Sequence, residues 1–156
     1  MEKIRVMIAD DHPLMRDGLQ QILELEDDIE VIEKVGDGEE AIIKALDLKP
    51  DVILMDINMP VKNGIDAIEE LRKRENKSKI IVLTIHDDRQ YLLKAIGSGA
   101  MGYVMKDAES HHLIKAIRAV HEGNRYIQRD NHLKACSEED EVYELSREEK
   151  LEEYNL

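Results

Sequence analysis

Short apolar runs and stretches with helical apolar spacing alternate five times along this chain, and that alternation restricts the fold more than any other feature. The runs lie at 4–9, 29–35, 52–55, 80–83 and 103–105. Between and after them, Leu19, Ile22 and Leu23 share one helical face; Ala41, Ile42, Ala45 and Leu46 a second; Ile65, Ile68 and Leu71 a third. Tyr91, Leu92, Ala95 and Ile96 make a fourth, and Leu113, Ile114, Ile117 and Val120 a fifth. Asp37 with Glu40, and Asn63 with Asp66, are spaced like an N-cap and the acid three positions on, while Pro50 and Pro60 bracket the third run. Such a pattern predicts an α/β fold, a parallel sheet with helices on both faces. In the flavodoxin-like doubly wound order 2-1-3-4-5, the ligand crevice lies at the carboxyl ends of strands one and three.

The third run, in "PDVILMDINMP", has the composition of a strand buried on both faces but ends in a carboxylate, Asp56. Read alone, Asp56 could be a turn former. Other pieces converge on the same rim: strand one ends in Asp10 and Asp11, strand four in Thr84, strand five in Lys106. Three carboxylates crowded together repel one another and call for a nearby cation. Oxygen donors with no Cys or His among them suit Mg²⁺, and Lys106 supplies a fixed positive charge. A carboxylate becomes a phosphoryl acceptor when a metal and a cation neutralise the phosphoryl oxygens, with Thr84 as a hydroxyl donor. Asp56 is then the accepting group.

Composition narrows the alternatives. With 37% charged residues and a net charge of −13, the chain is unsuited to holding nucleic acid or an anionic membrane by broad electrostatics. No apolar run approaches the length of a signal h-region or a bilayer span, which reads as a cytoplasmic protein. Cys136 is the single cysteine, so neither a disulfide framework nor a cysteine zinc site is available, and it reads as a bystander thiol. His111, His112 and His121 lie along the fifth helix without acid or Cys partners at ligand spacing, and read as solvated.

Four ordered motifs, "IADDH" at 8–12, "LMDINMP" at 54–60, "VLTIHDD" at 82–88 and "GAMGYVMKD" at 99–107, resemble the receiver domains of two-component response regulators. The resemblance implies a CheY-like five-stranded sheet. It also implies that Asp11 ligates Mg²⁺ directly, Asp10 assists largely through water, and the carbonyl of Asn58 joins Asp56 in the coordination. By the same resemblance a sensor histidine kinase phosphorylates Asp56, and Thr84 and Lys106 contact the phosphoryl oxygens. Thr84 and Tyr103 form the switch that reshapes the helix 4, strand 5, helix 5 surface, with a homodimer as one outcome. Asn58 and His86 tune a slow self-dephosphorylation; no other enzyme activity is implied. Receivers often carry Pro after this lysine; Asp107 stands there instead, leaving the peptide geometry open.

"DDHP" and "SGAMGYVMKD" look most like the LuxR/NarL (FixJ)-type subclass. Residues 1–123 read as the receiver, 124–136 as a linker, and 137–156 as an acidic helical tail. "LSREEKLEE" imitates the opening of that subclass's helix-turn-helix only loosely, so DNA contact is expected only through an output domain absent from this sequence. The competing readings are a stand-alone receiver acting as a protein-interaction switch, an aspartyl phosphatase, and a flavodoxin. The phosphatase lacks its general acid, since Asn58 stands two residues after Asp56. The acidic loop after strand one would repel a flavin phosphate.

Overall fold

The computed structural model describes residues 2–85, 89–129 and 141–143. Five βα units come first: β1 (Ile4–Ala9), α1 (Pro13–Leu23), β2 (Ile29–Val35), α2 (Gly38–Leu48), β3 (Val52–Asp56), α3 (Gly64–Lys73), β4 (Lys79–Thr84), α4 (Arg89–Ser98), β5 (Gly102–Met105) and α5 (Ser110–His121). Two further strands follow, β6 (Tyr126–Arg129) and β7 (Glu141–Tyr143). The sheet order is β2-β1-β3-β4-β5-β6-β7, with parallel pairing up to β6 and antiparallel pairing between β6 and β7.

Side chains alternate across the central strands, and both faces are buried. Met7, Ile53 and Met55 point into a cluster with Ala41, Ala45, Ile68 and Leu92, from α2, α3 and α4. Val6, Ile8, Val52 and Leu54 point into the opposite cluster with Leu19, Leu23, Leu113 and Ile117, from α1 and α5. This double burial is why the strands read as continuous apolar runs. The caps fall where the spacing predicts them: Asp37 accepts from the Glu40 amide at 2.8 Å and Asn63 from the Asp66 amide at 2.9 Å. Ile22 is the exception among the predicted faces, sitting at the rim with 36% of its surface exposed.

Two expectations need correction. The sheet does not stop at five strands, because residues 126–129 of the expected linker form β6 and residues 141–143 of the expected helical tail form β7. Sequence periodicity misses β6 because Gln128 within it and Arg125 just before it are buried through specific hydrogen bonds. The Arg125 guanidinium donates to the Ala100 carbonyl at 2.9 Å, and Gln128 accepts from the Met105 amide at 3.0 Å. His112 is the second correction. It is buried, with Nδ1 3.3 Å from the Tyr126 hydroxyl, because the unforeseen β6 covers that side of α5. His111 and His121 are exposed, as expected.

Arg118 on α5 ties that helix to the loop before β2. Its guanidinium donates to both carboxylate oxygens of Asp28, at 2.9 and 2.8 Å, and to Glu26 at 2.8 Å. The hydrogen bond from Arg118 holds the Asp28 carboxyl below its ordinary 3.8. A depressed folded pKa contributes stability above the unfolded value and loses it as pH falls through the folded one. Solvent screening at this exposed pair limits the effect to about 0.5–1 kcal/mol. Arg118→Ala should therefore cost that much in urea unfolding at pH 7, and the difference from wild type should shrink below about pH 4.

Candidate functional site

The site sits at the carboxyl ends of β1, β3, β4 and β5, where the doubly wound topology opens a crevice. Asp10 leaves β1 with its amide bonded to the Val35 carbonyl at 3.0 Å, and its own carbonyl accepts from Arg16 at 2.6 Å. Its carboxylate accepts from the His12 amide at 2.8 Å, an Asx-type turn that launches α1 at Pro13. Asp56 ends β3, and one of its oxygens accepts from the Asn58 amide at 3.2 Å. Lys106 follows β5, its amide donating to the Thr84 carbonyl at 2.8 Å. Backbone pairing thus aims these side chains at one point.

Lys106 Nζ lies 2.9 Å from Asp10 Oδ2 and 3.2 Å from Asp56 Oδ2, with both acids almost fully buried. Burial raises the Asp56 pKa, the Lys106 charge opposes that rise, and the Asp10 charge adds to it; the net direction is up. Burial disfavours the Lys106 charge, but the hydrogen bond to Asp10 and the charges of Asp56 and Asp10 outweigh it, and its pKa rises. One ammonium therefore faces several acids, leaving an excess of negative charge.

The donor atoms fit a hard divalent cation. Asp10 Oδ2, Asp11 Oδ1 and Asp56 Oδ2 are buried, and among the described residues the charged contacts they meet are the Lys106 ammonium for Asp10 and Asp56 and the His12 imidazole for Asp11. Asp10, Asp11, His12 and Asp56 each offer a ligand atom, all within 4.8 Å of one another. Carboxylate oxygens in this number and spacing can hold a metal ion such as Mg²⁺.

Of the residues expected at the site, the structure brings Asp10, Asp11, Asp56 and Lys106 together and buries Thr84 at the end of β4. Asn58 is exposed on the following loop. Tyr103 is fully buried in the α2/α3/α4 cluster, paired between Val82 and Ile127. His86 lies outside the described residues, as do Cys136 and most of the expected tail. The Lys106–Asp107 peptide is trans.

Sequence reasoning missed two contributors. The His12 imidazole stands 3.0 Å from both Asp10 Oδ1 and Asp11 Oδ1, although the acidic rim read as free of His. Gly64 is the other. A Cβ there would collide with the Asp56 carbonyl, so only glycine lets α3 start this close to the end of β3. Its amide donates to the Ile57 carbonyl at 2.8 Å, closing the loop after Asp56.

A parallel five-unit βα core with an acidic rim and an ion-paired lysine is the architecture of a receiver domain. The chain belongs to the response regulator receiver domain family, which it matches over residues 6–118. Its similarity runs to LuxR/NarL-type regulators. It is 43% identical over 125 residues to the transcriptional regulatory protein DegU of Brevibacillus brevis, covering 80% of this chain and 53% of that protein. The solved LuxR-family two-component response regulator from Aurantimonas sp. SI85-9A1 superposes with a TM-score of 0.78 at 31% identity, covering 82% of this chain and 91% of that one. The signal receiver domain of a NarL response regulator from Mycobacterium tuberculosis gives 0.77 at 31% identity, covering 79% and 99%. The chain spans about half the length of the curated relative DegU. Among the described residues, no helix is long and apolar enough to cross a membrane.

Proposed function

We propose that Asp56 accepts a phosphoryl group from the phosphohistidine of a sensor kinase, making this chain the receiver part of a cytoplasmic, phosphorylation-controlled transcriptional regulator. The observation that carries the reading is the buried Asp56 carboxylate, ion-paired to Lys106 and clustered with the carboxylates of Asp10 and Asp11. A carboxylate oxygen of Asp56 attacks phosphorus in line; the phosphorus–nitrogen bond breaks, and the imidazole nitrogen leaves with the electron pair. Lys106 and Thr84 hold the phosphoryl oxygens. Asp10, Asp11, Asp56 and the Asn58 carbonyl would hold Mg²⁺, whose charge would be available to offset that of a phosphoryl group. Asn58, two residues after Asp56, offers no general acid for turnover of outside substrates; with His86 it sets the rate of slow self-hydrolysis.

The new charge biases Thr84 and Tyr103, and through them the α4, β5, α5 surface that a kinase, a second copy or an output domain reads. DNA binding belongs to such an output domain. The test is localisation of the adduct. After reaction with acetyl phosphate and Mg²⁺, borohydride reduction should convert Asp56 alone to homoserine, as read by peptide sequencing in the mass spectrometer. Reduction at another acid would refute the assignment.

A further inference from the structure

The main-chain pairing of β5 with β6 covers only Gly102 with Tyr126 and Tyr103 with Ile127. On its other edge β6 pairs with β7, Ile127 with Tyr143, Gln128 with Val142 and Arg129 with Glu141, while the β5 ladder stops at Ile127. The end of β5 would lose its β6-side partner there, but the side chain of Gln128 takes the place of the ladder. Its Oε1 accepts from the Met105 amide at 3.0 Å, and Gln128 is 1% exposed. On the opposite side, the next amide, that of Lys106, donates to the Thr84 carbonyl at 2.8 Å. The residue that carries the site's ammonium is therefore held by β4 on one side and, one peptide earlier, by a buried glutamine on the other.

We infer that Gln128 is a positioning residue for Lys106: its bond to the Met105 amide fixes the end of β5 so that Nζ meets Asp56 and the phosphoryl oxygens. This rests on the reading of Asp56 as phosphoacceptor. A buried polar side chain satisfied by one main-chain donor fixes geometry tightly, because leaving that amide unpaired costs free energy. Gln128 also belongs to β6, so the alignment of Lys106 is tied to the strand that follows α5.

The test compares wild type with Gln128→Met, which keeps length and apolar volume but removes the acceptor, and Gln128→Glu, which restores an acceptor oxygen. Three quantities are read for each folded protein, checked by its unfolding curve: the Mg²⁺ dissociation constant, the rate of phosphoryl uptake from acetyl phosphate at saturating Mg²⁺, and the hydrogen-exchange protection of the Met105 amide. Lys106 lies against Asp10 and Asp56 as a cation that competes with Mg²⁺ for them, so loosening it slows phosphoryl uptake without weakening metal binding. The expected result is a split. Gln128→Met should lower the uptake rate about tenfold or more without weakening Mg²⁺ binding, the Met105 amide should lose hydrogen-exchange protection, and Gln128→Glu should recover much of the rate. Equal rates in wild type and Gln128→Met, or equal losses in rate and Mg²⁺ affinity, would overturn the inference and leave Asp56 as phosphoacceptor intact. A wild-type protein that takes no phosphoryl group would overturn both.

Discussion

Lys106→Met should lower phosphoryl uptake about 10²–10³-fold, the usual cost of removing one preorganised donor from a site of developing negative charge. The structure gives two reasons to expect the upper part of that range. Lys106 is 10% exposed, so water replaces its charge poorly, and its ammonium is shared by Asp10 at 2.9 Å and Asp56 at 3.2 Å. Taking away the cation leaves two buried carboxylates facing each other. Breaking a buried pair in this way costs about 3–5 kcal/mol, and added Mg²⁺ should return part of it by occupying the same acids. Urea unfolding with and without Mg²⁺ measures the stability, and the initial rate with acetyl phosphate measures the chemistry. A variant that matched wild type in both would mean that Lys106 is a bystander.

Gly64→Ala should be the most damaging small substitution near the site. The three atoms nearest a Cβ at that position are all main chain, in Asp56 and Ile57, so no side chain can rotate away. Overpacking against flexible neighbours costs about 1–3 kcal/mol; against fixed backbone the cost should reach or exceed about 3 kcal/mol. For a chain of this size that lowers Tm by about 6–12 °C. The remaining relief is to push the start of α3 away from β3, which carries Asp56 with it. A misplacement of about 1 Å at a reacting group costs about 10²-fold in rate, so uptake should fall even below the unfolding transition. Gly38 presses on the same loop from α2, its missing Cβ making room for the Lys62 carbonyl. Thermal unfolding and uptake at 10 °C separate the two effects.

The βα core was legible because every central strand is buried on both faces and every helix shows one apolar side, so period and composition agreed. The core acids were legible for a topological reason. In a doubly wound sheet the residues just past the strands share one rim, so Asp10, Asp11, Asp56 and Lys106 could be placed together without any coordinates. What could not be read depends on contacts across the chain. The β6 segment has only Tyr126 and Ile127 as large apolar residues, and its place in the sheet depends on Arg125 reaching Ala100 and Gln128 reaching Met105. His112 looked solvated because the strand that covers it was not foreseen. Nothing in the local sequence marks Gly64, since no pattern behind the Asn63 cap announces the Asp56 carbonyl beside it.

The measurement that bears most directly on the central claim is intact mass after incubation with acetyl phosphate, under rapid acid quench, for wild type and Asp56→Asn with and without Mg²⁺. One added phosphoryl on wild type, requiring Mg²⁺ and absent from Asp56→Asn, is the predicted result. An adduct that persists in Asp56→Asn, or no adduct on wild type with Mg²⁺ present, would contradict the account.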